Sequence, residues 1–304
     1  MDRAQEMAVL VAAVDRGGFA AAAKALGLTA SGVSKTVSRL EARLGVRLLE
    51  RTTRRITPTD EGAQYIEAAR HILADMDEAE AAVIEGRGHP QGRLRVNSGV
   101  AFAVHQLAPT LGAFSEQYPQ VRLDLQVTDR IVDLATEGAD IAIRTGPVVD
   151  DRFAVRRFGE IRRVICASPE YLSRAGTPKS AADLQRHVCI NMLSSPYLSL
   201  WPFRQADGAT SLIETRGPLN VDNVEAALAF GLAGQGLIRI GDFVVANAVR
   251  EGRLVPVLTD IHRVEPVPIS FVFQPGRQRL PRVRVFMDFV VERFQASPWR
   301  LDGS

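Results

Sequence analysis

A chain of 304 residues with 46% hydrophobic content has enough apolar side chain for a large core, and for two or three domains. Its net charge is only +2, yet residues 1–59 carry ten Lys/Arg against five acids, and residues 60–88 carry eight acids against two arginines. A basic head of this kind is the electrostatic footprint of a nucleic-acid partner. No run of about 18 apolar residues occurs, which excludes a membrane-spanning helix. Asp2, Arg3 and Glu6 interrupt any signal-peptide pattern, so no membrane partner and no export are expected. Cys166 and Cys189 sit in "VICAS" and "HVCIN", which read as buried strands. With no disulfide framework, a reducing cytoplasm is the expected location.

In chain order, Met7, Leu10, Val11 and Val14 recur at helical spacing, and "RGG" at residues 16–18 stops the helix. Phe19, Ala22, Ala23 and Leu26 mark a second helix, ended by Gly27. Thr29 or Ser31 caps a third, in which Val33, Val37, Leu40 and Leu44 share a narrow arc at about 100° per residue. Gly45 ends it, and "VRLLERTTRRITPTDEG" reads as a two-stranded hairpin wing. From Asp60 to about Glu85 a long helix carries Ile66, Ala69, Leu73, Met76 and Val83 in a coiled-coil-like seam, imperfect at Glu80. "GRGHPQG" at residues 86–92 is a linker.

Beyond the linker the pattern becomes α/β. "RLRVNSG", "VRLDLQV" and "DIAIRTG" are strands of an expected parallel core, with "LAPTLGAFSEQYP" and "IVDLATEGA" as helices between them. "RRVICASPEYL" opens a second such run, which includes "VEAALAFGLAGQGLIRI". "PVPISFVF" and a helix near Val283–Phe294 close the chain.

The outward side of the third helix is short-chained near its start: Ser31, Lys35, Ser38 and Ala42, flanked by Ser34 and Arg39. Short side chains allow close approach to a DNA major groove, where hydroxyls and Lys35 can meet base edges or phosphates. Helix, tight glycine turn and helix form the helix-turn-helix arrangement. Wing arginines such as Arg54 and Arg55 suit the minor groove or the backbone.

Residues 19–62, "FAAAAKALGLTASGVSKTVSRLEARLGVRLLERTTRRITPTDEG", resemble the winged helix-turn-helix of LysR-type transcriptional regulators. The alanine run before "LG", the "VSK…RLE…LG" spacing and the "LLERTTRR" wing carry the likeness, while "YPQVRLDLQV", "GADIAIRTG" and "GLAGQGL" match more weakly. The resemblance implies a winged domain over 1–59, a dimerising linker helix over 60–88 and an effector domain over 89–304. That domain would be two-lobed and similar to type II periplasmic binding proteins. Its lobe I would cover about 92–161 and 267–295, and lobe II about 162–266. It implies DNA contacts by Ala30, Ser31, Ser34, Lys35 and Arg39, and by Thr53, Arg54 and Arg55 of the wing. Ala30 stands where a polar residue is usual and Ser31 where a proline is common. For a small-molecule effector the candidates are Ser98, Gly99, Val100, Arg144, Thr145 and Asn223. The resemblance further implies a homodimer pairing into a tetramer on an interrupted palindrome, with RNA polymerase as a further partner.

Catalysis is not expected. His71, His89, His105, His187 and His262 are scattered without metal-ligand spacing, and no phosphate loop, Gly-x-Ser-x-Gly elbow or dinucleotide fingerprint occurs. No cofactor or metal is implied. An effector-independent architectural DNA binder is the alternative reading, although it has no use for some two hundred residues of α/β domain. A solute-binding protein would carry a signal peptide and no basic winged domain.

Overall fold

The computed structural model describes residues 2–51, 56–84, 90–130, 138–193 and 196–295, with the side chains of 51, 77–79, 81–84 and 196–197 excepted. Contacts divide the chain into two units, Met1–Gly92 and Arg93–Ser304. In the first, the apolar spacings become α1 (Arg3–Asp15), α2 (Phe19–Leu26) and α3 (Ala30–Leu44). Gly27 ends α2 with φ +65°, a left-handed conformation that glycine adopts without steric cost. The wing follows as β1 (Leu49–Arg51) and β2 (Ile56–Pro58), antiparallel with Glu50 opposite Thr57. Its tip, with Thr53, Arg54 and Arg55, lies outside the described residues.

Val33, Val37 and Leu40 of α3 are fully buried with Val9, Leu10, Ala13, Ala22 and Leu48. Glu6, only 5% exposed, meets Arg43 at 2.9 Å, which keeps a buried carboxylate paired. α4 (Asp60–Ile84) runs nearly the length expected. The seam read along it divides, however. Ile66 and Ala69 are buried, Ile66 within this unit's own core, and Arg70 pairs with Asp15 of α1. Among the described side chains, large apolar ones are exposed further along, at Ile72 and Met76. The first half of the seam therefore covers its own unit, and the side chain of Val83 lies outside the described set.

The second unit opens with β3 (Gly92–Ser98), α5 (Val100–Phe102, continued by a wide helical turn over Ala103–Leu107) and α6 (Leu111–Gln117). Then come β4 (Val121–Val127), β5 (Ile141–Thr145) and β6 (Ala154–Ala167). The helix expected in "IVDLATEGA" falls mostly outside the described residues. There follow α7 (Pro169–Ala175), β7 (Asn191–Met192), β8 (Leu200–Arg204), β9 (Thr210–Glu214), β10 (Asn220–Val221) and α8 (Val224–Leu232). The chain continues through β11 (Ile238–Gly241), α9 (Asp242–Arg250), β12 (Val255–Pro256), β13 (Pro266–Phe273) and α10 (Pro281–Gln295).

The main sheet has the order β11-β6-β13-β5-β3-β4, with β12 also on β6. It is mixed, not parallel throughout: β3 and β5 are parallel, whereas β13 runs antiparallel to both β5 and β6. The fourteen-residue β6 makes two lobes from one sheet. Through Arg162 it pairs with β13, and from Arg163 onward with β11 and β12. In that register Val267 lies opposite Ile161, so the two segments that cross between lobes run side by side. A bulge falls between Ile269 and Ser270. The cores of both lobes are apolar and continuous, from Leu94, Phe114 and Phe286 to Ile238 and Val245. Asp140, 1% exposed, is held by Arg277 at 3.3 Å and the equally buried Arg282 at 3.7 Å, tying β5 to α10. Among the described residues no helix is long and apolar enough to cross a membrane. Both cysteines are fully buried, and burial pushes their thiols up to about 12, so they serve as small apolar groups.

Candidate DNA-binding face and effector cleft

The start of α3 is set by Thr29, whose Oγ1 accepts the Gly32 N–H at 3.0 Å. This cap fixes where the helix begins and so which side chains its first turns display. Ala30, Ser31, Lys35, Ser38 and Arg39 are exposed, and Ser34 is half-buried at their edge. Thr36 is turned inward and 1% exposed. Five of the eight positions expected to meet DNA thus share one face of one helix, and the other three belong to the wing tip outside the described residues.

The wing is anchored to that helix by a residue the sequence reading passed over. Glu41, on α3, accepts the N–H groups of Leu48 and Leu49 through Oε1, at 2.9 and 3.1 Å. From the other side Thr59 donates its hydroxyl to the Arg47 carbonyl at 2.8 Å and accepts the Gly62 N–H at 2.9 Å. Both ends of the hairpin are therefore tied to the helices that flank it. The signal available in the sequence was a glutamate one turn before Gly45, too close to the next strand to be a simple surface charge.

In the second unit the two lobes enclose a cleft of about 240 Å³. Its floor comes from strands: Ile143, Arg144 and Thr145 of β5, Ile161 and Arg163 of β6, and Arg239 and Ile240 of β11. Phe102, Phe243 and Val244 supply apolar walls. Of the six residues expected here, Gly99, Arg144 and Thr145 line the cleft. Arg144 donates to Asn97 Oδ1 at 2.6 Å and to its neighbour Ile143's carbonyl at 3.3 Å. Ser98 is instead fully buried, and its hydroxyl donates to the Gly99 carbonyl at 3.2 Å. Val100, another of the six, donates its N–H to Asp129 Oδ1 at 2.9 Å.

Asn223 caps α8, its Oδ1 accepting from the N–H groups of Glu225 and Ala226 at 2.8 and 3.3 Å. Its Nδ2 donates to the other oxygen of Asp129 at 3.1 Å, so one carboxylate links lobe I to the first turn of α8 in lobe II. A second link lies close by: His105 Nε2 stands 3.0 Å from Glu225 Oε1. Asp129, Arg163 and Arg239 were not singled out in the sequence. Arg239 is 8% exposed and donates through Nε to His262 Nε2 at 3.0 Å. Burial, with the Arg239 charge beside it, holds His262 down at about 3, so the imidazole is neutral and free to accept. A charged residue inside the apolar run "LIRIG" was the available clue, because a buried arginine requires a partner.

Two family models match the chain. Residues 4–63 match the bacterial regulatory helix-turn-helix protein model of the lysR family, and residues 87–295 match the LysR substrate binding domain. The transcriptional regulator CrgA of Neisseria meningitidis is 37% identical over 288 residues, covering 95% of this chain and 96% of the relative. A helix-turn-helix transcriptional repressor of Pseudomonas aeruginosa is 36% identical over 299 residues, covering 98% and 94%. The solved structure of CrgA superposes with a TM-score of 0.64 at 35% identity, over 96% of this chain and 99% of that one. Full-length AphB of Vibrio cholerae, at 23% identity and a TM-score of 0.60 over 96% and 99%, shares the fold. A capped recognition helix with a tethered wing, a two-lobed cleft and matches along nearly the whole chain have one common explanation: this protein belongs to the LysR family of DNA-binding, effector-responsive transcriptional regulators.

Proposed function

We propose that the chain reads its operator through α3, with Ser34 and Lys35 as the main contacts and Ala30, Ser31 and Arg39 beside them. Thr53, Arg54 and Arg55 of the wing engage the adjacent minor groove or backbone. The observation that carries this reading is the exposed, short-chained opening of α3, whose position is set by the Thr29 cap. Ala30 has no polar group and fits a thymine methyl. Three segments divide the work: 1–59 for DNA, the helix from 60 to 88 for pairing with a second copy, and 89–304 for the effector. A dimer places two recognition helices in successive major grooves, and two dimers pair and contact RNA polymerase. The protein acts on the chromosome, hence in the cytoplasm, and catalyses no reaction. An effector that binds one arrangement of the lobes better than the other shifts the population and with it transcription. The alternative of an effector-independent DNA binder gives no role to a cleft lined by three buried or half-buried arginines.

The test is fluorescence anisotropy with duplexes from the intergenic regions around the chain's own gene. Lys35→Ala should weaken specific binding by about tenfold and lower the slope of log affinity against log salt by about one. An unchanged affinity and slope would remove Lys35 from the interface. A wild-type chain that binds these duplexes no better than random DNA would remove the whole reading.

A further inference from the structure

The cleft is electrically polarised. Its floor carries Arg144, Arg163 and Arg239, each from a different strand and none of them fully exposed. Its rim carries Asp129 and Asp222, both exposed, with Arg130 leaving that edge one negative charge in surplus. The rest of the lining is mainly apolar, including Phe102 and Phe243, with Thr128 and Thr145 as polar exceptions. At about 240 Å³ the space falls below the usual range for drug-sized ligands, so the occupant is small. A guanidinium floor selects a carboxylate, because planar paired donors match two carboxylate oxygens.

The rim adds a second filter. Asp129 holds the Val100 N–H with one oxygen and the Asn223 amide with the other. The donors at the edge of lobe I and at the start of α8 are therefore satisfied by a carboxylate that belongs to the protein. A ligand with a second anionic group at its far end meets a surplus of like charge there, and finds the Val100 N–H and the Asn223 amide already engaged.

We propose that the cleft takes a small monoanion, one carboxylate on an apolar body, seated head-down on Arg144, Arg163 and Arg239, and that Asp129 is the residue that turns away a dianion. The inference rests on the reading that this cleft is the effector site. It adds the ligand's charge and a specificity-determining residue.

The experiment is calorimetric titration of the full-length chain with matched probes: hexanoate, adipate and hexanamide, then benzoate, phthalate and benzamide. A monoanion of at least one series should bind at least about tenfold tighter than its neutral amide and than its dianion. Arg144→Gln should cost that monoanion about tenfold. Asp129→Asn, an exposed and nearly isosteric change that keeps an acceptor for Val100, should narrow the gap between dianion and monoanion to about threefold or less. The proposal is overturned if the amides bind as tightly as the acids or the wild type prefers the dianions. It is equally overturned if the gap survives Asp129→Asn or all six probes give no heat. Operator binding measured in parallel separates the two readings. A monoanion that binds without altering DNA affinity leaves this inference standing and defeats the effector coupling proposed above.

Discussion

At the scale of single residues, two glycine-or-carboxylate choices decide whether the DNA-binding unit holds its shape. Gly62 sits in the first turn of α4, where alanine would ordinarily stabilise a helix by about 1 kcal/mol. Here a Cβ would lie 1.8 Å from the Leu48 carbonyl oxygen, which belongs to backbone and cannot swing aside. The clash outweighs the propensity, since overpacking that moves backbone costs about 1–3 kcal/mol. Gly62→Ala is expected to destabilise the first unit by roughly that amount. Hydrogen exchange of the full chain would show it as faster exchange at Val33–Leu40, with β3 and β5 unchanged. Unaltered protection in α3 would mean that the start of α4 can shift without consequence. The paired Glu6 and Arg43 make the same point in charge: Arg43 is raised above its ordinary pKa chiefly by its bond to Glu6, so this arginine keeps the buried carboxylate of α1 compensated.

At the scale of elements, the segments with one clear period were legible, and those that serve two environments were not. The interval of Val33, Val37 and Leu40 located the buried side of α3, and "VRLDLQV" and "PVPISFVF" became β4 and β13 to the residue. β6 was only half visible. Its first half, "AVRRFGEI", alternates poorly because it runs toward the crossing between lobes, where Arg156 and Arg157 face solvent, and of β6 only Ile161 and the later "VICA" are buried. The hairpin of β8 and β9 was missed, as its burial depends on Trp201 and Phe203 packing with Leu237 and Val257 far away in sequence. The cleft suffered in the same way. Its arginines come from β5, β6 and β11, and only the register that sets Gly241 opposite Arg163 brings two of them together. Glu41 shows what an element-level tie is worth. Glu41→Ala strips two N–H groups of a charged acceptor, and bonds to charged groups contribute about 1.5–3 kcal/mol each before discounting for partial exposure. The expected result is a wing that exchanges faster at Leu48 and Leu49 and an operator affinity lowered about tenfold. Glu41→Gln, which retains an acceptor oxygen, should recover most of both. If alanine and glutamine behave alike, the hydrogen bonds are not what positions the wing.

At the scale of the whole molecule, the question is which surface joins one copy to another. The helix read as a dimer seam spends Ile66 on its own unit's core, and Ala69 is equally inaccessible. Among its described side chains, the large apolar ones it leaves outside are Ile72 at 43% exposure and Met76 at 40%, one turn apart and therefore on one face. Leu73 beside them is half-buried. If α4 pairs with its copy, the contact must be built from this later stretch, because the earlier positions are already covered. Fully burying side chains of this size contributes about 1.5–3 kcal/mol each, and a symmetric pair buries both residues twice. Replacing Ile72 and Met76 together by Glu adds like charges to a helix that is already acidic, so burial is lost and repulsion appears at once. The double variant should sediment as a lighter species than wild type across a dilution series. It should also lose operator affinity more than a single half-site contact would explain, because two linked half-sites bind through effective concentration as well as contact. Neither residue is one of those that line the cleft, so probe binding measured by calorimetry should persist. A double variant with unchanged mass at every concentration would place the dimer contact elsewhere, and would return Ile72 and Met76 to the ordinary class of isolated surface apolar residues.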